Sequence, residues 1–287
     1  MGSLIGGLLS SRNEVTLVAR PDHVRAIRRC GLHITGKTEM VSDAWAMTEP
    51  PRGRQDVVIV STKAYDTASS VRQLKGFWHS SLFLTLQNGL RNADIIAARA
   101  DRAAAGTTSH GVTFVREGVI RHAGLGDTYL GTFKKVTAAE VRELCREFTA
   151  CGFPATFSDD IRRDMWMKAI VNAAINPLTA IAKVENGRLL QIPQLRALMS
   201  QSCEEAAAVA RAEGHRIQAA EASRTTERVA LRTASNRSSM LQDIERGRRT
   251  EVSEISGAIV EAAGRRGIST PTVDALRLAV SELERHA

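Results

Sequence analysis

Aromatic residues, cysteines and long apolar runs are all scarce in this sequence. Phe, Trp and Tyr together make up only 4% of the 287 residues. The four cysteines form no CxxC pair and no metal-like spacing, and no stretch approaches the ~18 uncharged apolar residues of a membrane-spanning helix. We therefore expect no metal site and no membrane contact. Scattered thiols are typical of a reducing compartment, which predicts a cytoplasmic protein.

The charge balance says little about partners. The chain carries 39 Lys and Arg against 31 Asp and Glu, a formal net charge of +8. Nucleic-acid binding would predict basic stripes with interleaved aromatic residues, whereas here basic and acidic residues alternate. We interpret the positive net charge first as a solvated basic surface and second as a site for small anionic ligands. We expect no nucleic-acid partner. The sequence is compatible with a homodimer.

Strands and helices alternate in the first half of the sequence. Continuous apolar or β-branched runs predict strands over 14–19, 32–35, 56–61 and 81–87, with helical or loop segments between them. This spacing is typical of a parallel α/β sheet. Hairpin-like alternation follows over 106–115 and 118–122, then a helix over 138–150 and a last strand over 153–157. We assign residues 1–158 to a Rossmann-like domain.

Strand signals disappear after Asp159. Apolar periodicity predicts helices over 161–175, 195–213, 251–263 and 272–286, and Gly264 and Gly267 suit a helix end. At roughly 100–200 residues per domain, the length also fits two domains. Residues 159–287 are therefore predicted to form an all-α domain.

The first residues have the character of a dinucleotide-binding βαβ unit without its beginning. An apolar start without a basic region argues against a targeting segment. Gly2 stands where the third glycine of a GxGxxG motif would be, and Arg20 follows the next strand, where an arginine can pair with the 2′-phosphate of NADP. By themselves these residues also fit a tightly packed helix and a surface arginine.

Polar residues follow two of the predicted buried strands. Lys63 comes directly after the run ending at Ser61, and Asn88 follows the run ending at Gln87. Open α/β sheets bind ligands at the carboxyl ends of their strands. An ordinary turn at Asn88-Gly89 and a solvated loop lysine are the alternatives.

The most specific pattern is a line of polar residues in an otherwise apolar helix. Lys168, Asn172 and Asn176 are spaced four apart and therefore share one helix face. Burial lowers the pKa of a lysine, which makes it a usable proton donor near neutral pH. The alternative is a polar stripe facing solvent, although such a stripe is more often built from Glu, Lys and Arg.

Two helix starts follow one another near residue 240. Ser239 and Gln242 fit a capping box, and a helix start of this kind suits a carboxylate ligand. Thr250 fits a second cap, which places Glu251 in the first turn of the next helix. Gly247 lets the chain turn between them. Capping without any ligand is the alternative for Ser239.

These residues resemble the ketopantoate reductase family along nearly the whole chain. The matching segments, in order, are Met1-Gly2-Ser3, Val15–Arg20, Thr62-Lys63-Ala64, Leu86–Gly89, Gly106-Thr-Thr108, His122-Ala-Gly124, Trp166-Met-Lys168 through Asn172 to Asn176-Pro-Leu-Thr179, Asn186-Gly187, Ser239–Asp243 and Thr250-Glu251. The Lys–Asn–Asn helix and the last two segments are the specific ones.

The resemblance implies NADPH-dependent reduction of 2-dehydropantoate, a 2-oxo acid, to (R)-pantoate, a step toward pantothenate and coenzyme A. In that family Lys168 would be the general acid and Glu251 would hold the substrate hydroxyl. Other substrate contacts would come from Asn172, Asn176, Asn186 and Ser239. Cofactor contacts would come from Gly2, Arg20, Lys63 and Asn88. The family's site lies in the cleft between its two domains.

The departure from the family lies at the front of the chain. The family's Gly-x-Gly would precede Met1, and the sequence does not contain it. We expect either a start assigned at an internal methionine or a truncated protein with severely weakened NADPH binding. A related 2-oxo acid reductase and a non-catalytic NADP-binding relative are the alternative functions.

Overall fold

The computed structural model describes residues 1–286, which divide into two compact units. The first unit contains Met1–Gln87 and Asn92–Ile161, and the second contains Asn88–Arg91 and the chain from Arg162 onward. The division after Ile161 lies close to the boundary drawn from the sequence at 158/159. The short segment Asn88–Arg91 groups with the second unit, which the sequence did not indicate.

The first unit alternates helices and strands. Its helices are α1 (Gly2–Leu9), α2 (Pro21–Cys30), α3 (Thr67–Gln73), α4 (Asn92–Ala97) and α5 (Ala138–Ala150), with 3₁₀ turns at Ala64–Asp66 and Lys75–Phe77. Its strands are β1 (Thr16–Val18), β2 (Leu32–Gly36), β3 (Met40–Ser42), β4 (Trp45–Met47), β5 (Val57–Val60), β6 (Leu82–Thr85), β7 (Arg102–Thr108), β8 (Gly111–Arg116), β9 (Val119–Gly124), β10 (Thr128–Lys134) and β11 (Thr156–Phe157). The predicted α/β class is confirmed.

The strands form three sheets instead of one parallel sheet. The largest has the order β11-β10-β7-β6-β5, in which β5, β6 and β7 are parallel and β10 runs antiparallel to β7. β1 pairs in parallel with β4 in a separate two-stranded sheet. The third sheet has the order β3-β2-β9-β8 and includes the predicted β8–β9 hairpin. Parallel strand pairs therefore occur as short ladders in separate sheets, whereas the sequence predicted one parallel sheet.

Strand β6 shows why the core of this unit has two layers. Leu82 and Leu84 pack into one apolar cluster with α1 and α5, while Phe83 packs into a second cluster with α3 and α4. Successive side chains of a strand point to opposite faces, so one short apolar run contributes to both layers. The carboxyl ends of β5 and β6 are thereby held on a rigid support.

The second unit is helical, as the sequence predicts. Its helices are α6 (Ile161–Ala182), α7 (Arg188–Gln191), α8 (Pro193–Ala212), α9 (Ala219–Arg232), α10 (Ser239–Glu245), a π-helical turn (Ser253–Gly257), α11 (Ala258–Arg266) and α12 (Pro271–His286). Between Arg162 and residue 286 the structure assigns no strand. Within residues 1–286, no helix combines the length and apolar character needed to cross a bilayer.

Helix α6 continues beyond the end predicted at Ile175. It passes through Pro177 and ends at Ala182. A proline inside a helix removes one backbone hydrogen bond, so the local rule favours an earlier end. Here burial outweighs that cost, because Ala174, Ile175 and Leu178 are all buried in the largest apolar cluster of the second unit.

Candidate functional site

Helix α6 carries the polar line predicted from the sequence. Lys168 and Asn172 are half-buried, and Asn176 is 7% exposed. Their spacing places the three side chains one above another on one face. Trp166 and Ile170, on the other sides of the helix, are buried in the largest apolar cluster of the second unit. The helix therefore has little freedom to rotate this line away.

Lys168 and Glu251 interact electrostatically, and we call this pair the lysine–glutamate centre. The Lys168 ammonium is enclosed by protein although the residue as a whole keeps some contact with solvent. Burial lowers the pKa of Lys168 to about 8, against an opposing effect of the Glu251 carboxylate, which raises it. Glu251 is itself 7% exposed. A lysine of this kind remains mostly protonated at pH 7 yet gives up its proton more readily than an exposed one.

Asn88 is joined to this centre. Its Nδ2 donates a hydrogen bond of 3.1 Å to Oε2 of Glu251. Gly89, the next residue, has φ of 95°, a left-handed conformation that favours glycine and turns the chain after Asn88. The sequence suggested Asn88 as a cofactor contact. The structure places its side chain on the same carboxylate that acts on Lys168.

The start of the Glu251 segment is held by two hydrogen bonds of Thr250. Its Oγ1 accepts the backbone N–H of Val252 at 3.1 Å, and its own N–H donates to Oε1 of Glu284 at 2.6 Å. This bond to the amide two residues later is local to the turn, and the helical segment that follows has no side-chain cap. The expectation that Glu251 lies in the first turn of a helix capped by Thr250 is therefore wrong. Glu251 stands immediately before the helical turn that begins at Val252.

The capping box predicted for Ser239 and Gln242 is wrong. The N-cap of α10 is Ser238, whose Oγ accepts the N–H of Leu241 at 3.1 Å. Gln242 Nε2 donates instead to the carbonyl of Arg237. Two adjacent serines cannot be told apart by local pattern, and burial of Ser238 decides between them. Ser239 is the first residue of α10 and is exposed.

Asn186 lies between α6 and α7 and is held from two directions. Its Nδ2 donates to Oγ1 of Thr233 at 2.8 Å, and its backbone N–H donates to the carbonyl of Asn236 at 3.0 Å. Its Oδ1 is buried and has no hydrogen-bond partner within residues 1–286. A buried amide oxygen of this kind costs free energy unless a ligand donates to it.

In the first unit, Gly2 and Lys63 lie at the same edge of the sheet. A Cβ added to Gly2 would lie 2.2 Å from Oγ of Ser61, so the start of α1 packs directly against the residue that follows β5. Lys63, which is half-buried, lies two residues after Ser61 and directly precedes the 3₁₀ turn at Ala64–Asp66. A glycine suits this close approach, which fits both the dinucleotide motif and the alternative of a tightly packed helix.

Gln87 connects the ends of two parallel strands. Its Nε2 donates to the carbonyl of Thr62 at 2.7 Å and to Oγ1 of Thr67 at 2.9 Å. The loops after β5 and β6 are therefore fixed to each other. From the sequence, Gln87 was predicted only as the last residue of a strand. Its amide at the end of an apolar run was the signal that could have marked it.

Arg20 is exposed and precedes α2, with His23 one turn further on. His23 is buried, and its Nδ1 accepts the N–H of Gly118 at 3.0 Å. In neutral His23, Nε2 then carries the proton and donates to Ser3 Oγ at 3.1 Å. Burial lowers the pKa of His23, which favours this neutral form. This hydrogen-bonded link between α1 and α2 was not predictable from the sequence.

Comparisons with known proteins give the class and then the family. The model described as ketopantoate reductase PanE/ApbA matches residues 1–135, and the one described as its C terminal matches residues 160–284. The 2-dehydropantoate 2-reductase of Halobacterium salinarum is 37% identical over 97% of this chain and 95% of its own length.

Solved structures agree with these matches. The PanE/ApbA family ketopantoate reductase from Ralstonia eutropha JMP134 has a TM-score of 0.90 and 32% identity, covering 98% of this chain and 94% of that one. D-mandelate dehydrogenase, solved with NADH and anilino(oxo)acetate, has a TM-score of 0.94 and 26% identity, covering 100% and 96%. The matched proteins are named reductases and dehydrogenases, so the class of this protein is oxidoreductase. The chain belongs to the ketopantoate reductase family.

Proposed function

We propose that this protein reduces 2-dehydropantoate to (R)-pantoate with NADPH. The observation that carries the proposal is Lys168, whose pKa burial lowers to about 8 beside the carboxylate of Glu251. Family membership supplies the substrate, since relatives covering most of the chain are named 2-dehydropantoate 2-reductase.

The first unit offers residues that fit the cofactor. Arg20 is an exposed cation after a parallel strand, the place where a guanidinium can pair with a 2′-phosphate. Gly2 at the start of α1 and Lys63 after β5 add a close backbone approach and a second cation at the sheet edge. Bound NADPH would supply the hydride. We assign these three residues to its binding.

Lys168 is proposed to donate the proton that the ketone oxygen takes up as it becomes an alcohol. With a pKa of about 8, roughly nine in ten molecules carry this proton at pH 7. The same ammonium stabilises the negative charge that develops on the oxygen. After the reaction Lys168 is neutral, and a proton from solvent restores it.

The remaining polar residues of the second unit are proposed to hold the substrate. Glu251 would accept a hydrogen bond from the substrate hydroxyl while keeping Lys168 protonated. Asn172 and Asn176 extend the same helix face, and Asn186 offers a buried amide oxygen. The exposed hydroxyl of Ser239 would bind the substrate carboxylate. Asn88 would orient the carboxylate of Glu251 through their hydrogen bond and would also contact the cofactor.

A second candidate is the reduction of another 2-oxo acid by the same residues. The observation in its favour is the high structural similarity to D-mandelate dehydrogenase, which was solved with NADH and anilino(oxo)acetate. A lysine proton donor and a carboxylate-binding hydroxyl would serve any 2-oxo acid equally. The side chain of the substrate, therefore, is what distinguishes the two candidates.

The test is NADPH oxidation, followed at 340 nm, with 2-dehydropantoate and with phenylglyoxylate as a competing 2-oxo acid. We expect turnover with 2-dehydropantoate and a loss of at least ~10³-fold in kcat for Lys168→Ala, since the variant loses both proton donor and charge. Lys183→Ala, which removes an exposed lysine just beyond α6, is the matched control and should retain wild-type activity.

Each outcome decides between the candidates. Preference for phenylglyoxylate would replace the proposed substrate by another 2-oxo acid. NADPH binding measured by fluorescence without turnover of either acid would indicate a non-catalytic relative. Full activity of Lys168→Ala would show that the proton comes from elsewhere.

A further inference from the structure

Two buried hydroxyls connect the substrate-binding elements of the second unit. Oγ1 of Thr179, on α6, lies 2.7 Å from Oγ of Ser238, the N-cap of α10. Thr179 is fully buried and Ser238 is 6% exposed. Neither residue was singled out by the sequence analysis as a site residue, because each is unremarkable in its local context.

Thr179 also binds the backbone of its own helix next to Pro177. Its Oγ1 lies 3.1 Å from the carbonyl oxygen of Ile175 and 2.9 Å from that of Asn176. The hydroxyl has one proton, so it donates to one of these three acceptors at a time. Its position is nevertheless fixed from two sides, by α6 backbone on one and by Ser238 on the other.

Ser238 is fixed in turn by α10. Its Oγ accepts the N–H of Leu241 at 3.1 Å, and its carbonyl accepts the N–H of Gln242 at 3.0 Å. The next residue is Ser239, whose hydroxyl we assign to the substrate carboxylate. Thr179 follows Asn176 by three residues on the helix that also carries Lys168. The Thr179–Ser238 contact thus joins the proton-donating helix to the carboxylate-binding residue.

We infer that Thr179 and Ser238 are positioning residues, which set the distance between Ser239 and the polar line of α6 and thereby the affinity for the substrate carboxylate. The inference rests on the proposed function. The carboxylate does not change during ketone reduction, so its contact stabilises the ground state and the transition state equally. Loss of such an interaction raises KM and leaves kcat unchanged.

The experiment compares three variants of the full chain. Thr179→Val keeps the shape of the side chain and removes the hydroxyl, whereas Thr179→Ser keeps the hydroxyl. Thr226→Val is the matched control, because Thr226 is also fully buried in the helical unit and its Oγ1 accepts a hydrogen bond from Cys203. It therefore reproduces the loss of a buried hydroxyl away from α10.

We expect the KM for 2-dehydropantoate to rise by about tenfold in Thr179→Val, with kcat and the KM for NADPH within about twofold of wild type. Thr179→Ser and Thr226→Val should both keep the wild-type KM within about threefold. Ser238→Ala should raise KM as well, and combining it with Thr179→Val should add less than the product of the two effects, because the residues share one contact.

Hydrogen exchange gives a readout that does not depend on turnover. The amide of Leu241 should exchange faster in Thr179→Val than in Thr226→Val, since the cap that protects it has lost its anchor. An unchanged KM in an active Thr179→Val protein would overturn the inference alone, as would a Thr179→Ser variant as impaired as Thr179→Val. Absence of 2-dehydropantoate reduction by the wild type would overturn the proposed function, and this inference with it.

Discussion

Replacing Glu251 by Gln should move the alkaline limit of the reaction to lower pH. The carboxylate raises the pKa of Lys168, against burial, which lowers it. Glutamine keeps the shape of the side chain and an oxygen that can accept the hydrogen bond from Asn88. The charge is removed, so burial acts unopposed and the pKa of Lys168 falls below its value of about 8. One acceptor oxygen also becomes an NH2 group, which weakens the proposed contact with the substrate hydroxyl at every pH, whereas only the pKa of Lys168 sets the position of the alkaline limb.

The size of the shift follows from the loss of one favourable charge pair. An opposite charge close to a titrating group is commonly worth 1–3 pKa units, and we take one unit, or about 1.4 kcal/mol. The pKa of Lys168 then moves from about 8 to about 7. At pH 8 the protonated fraction falls from about one half to about one tenth, and at pH 6 it scarcely changes.

The assay is kcat/KM for 2-dehydropantoate from pH 5.5 to 9.5. A general acid must be protonated, so activity is lost as pH rises through its pKa, and the loss should begin about one unit earlier in Glu251→Gln. Glu261→Gln removes the same charge from an exposed position paired with Arg91 and Arg265, and should leave the profile unchanged. An alkaline limb that stays in place or moves upward in Glu251→Gln would refute the reasoning.

Two further variants test other residues. Arg20→Ala should raise the KM for NADPH at least tenfold and leave the KM for NADH unchanged, because only NADPH carries the 2′-phosphate. Arg29→Ala, at another exposed arginine, is the control. An unchanged ratio of the two KM values in Arg20→Ala would show that Arg20 does not bind the 2′-phosphate. Burial, and secondarily the charge of His122, lowers the pKa of His110 to about 4. Between pH 6.5 and 4, the unfolded chain therefore binds a proton at His110 that the folded chain does not bind. The free energy of unfolding falls by up to about 3 kcal/mol as the pH drops over this range. On acidification over this range, the melting temperature should decrease less in His110→Phe than in His79→Phe, which replaces an exposed histidine.

The buried elements were the most predictable part of the fold. The runs that became β5 and β6 are continuous and apolar because helices cover both faces, and that pattern needs no tertiary information. Helix α5 matches its predicted bounds, and Gly267 ends α11 in the left-handed conformation. Gly264, proposed as another helix end, lies inside α11. A glycine permits a helix end without requiring one.

Short strands and the end of α6 were not predictable from local pattern. β3 and β4 are three residues long and owe their structure to pairing with β2 and β1. Three residues are too few for period-two alternation to be distinguished from a loop. At α6, the proline rule indicates an end near Pro177, whereas burial against other helices carries the helix on to Ala182.

The candidate site was predictable in its residue types but only partly in its connections. Lys168 stands out because an apolar helix makes a lysine expensive unless a counter-charge is near. Nothing local to that helix identifies the counter-charge. The cap pattern drew attention to Glu251, and the family resemblance assigned it to the substrate hydroxyl rather than to Lys168. The structure adds that Asn88, from a separate stretch of chain, donates to the same carboxylate. Lys168 and Asn88 depend on different properties of this carboxylate: Lys168 needs its charge, and Asn88 needs only an acceptor oxygen. Glutamine at position 251 can still accept from Asn88 but carries no charge, so the position of the alkaline limb in Glu251→Gln reports the electrostatic role. Asn88→Ala would keep the charge of Glu251 and remove the hydrogen bond that orients it.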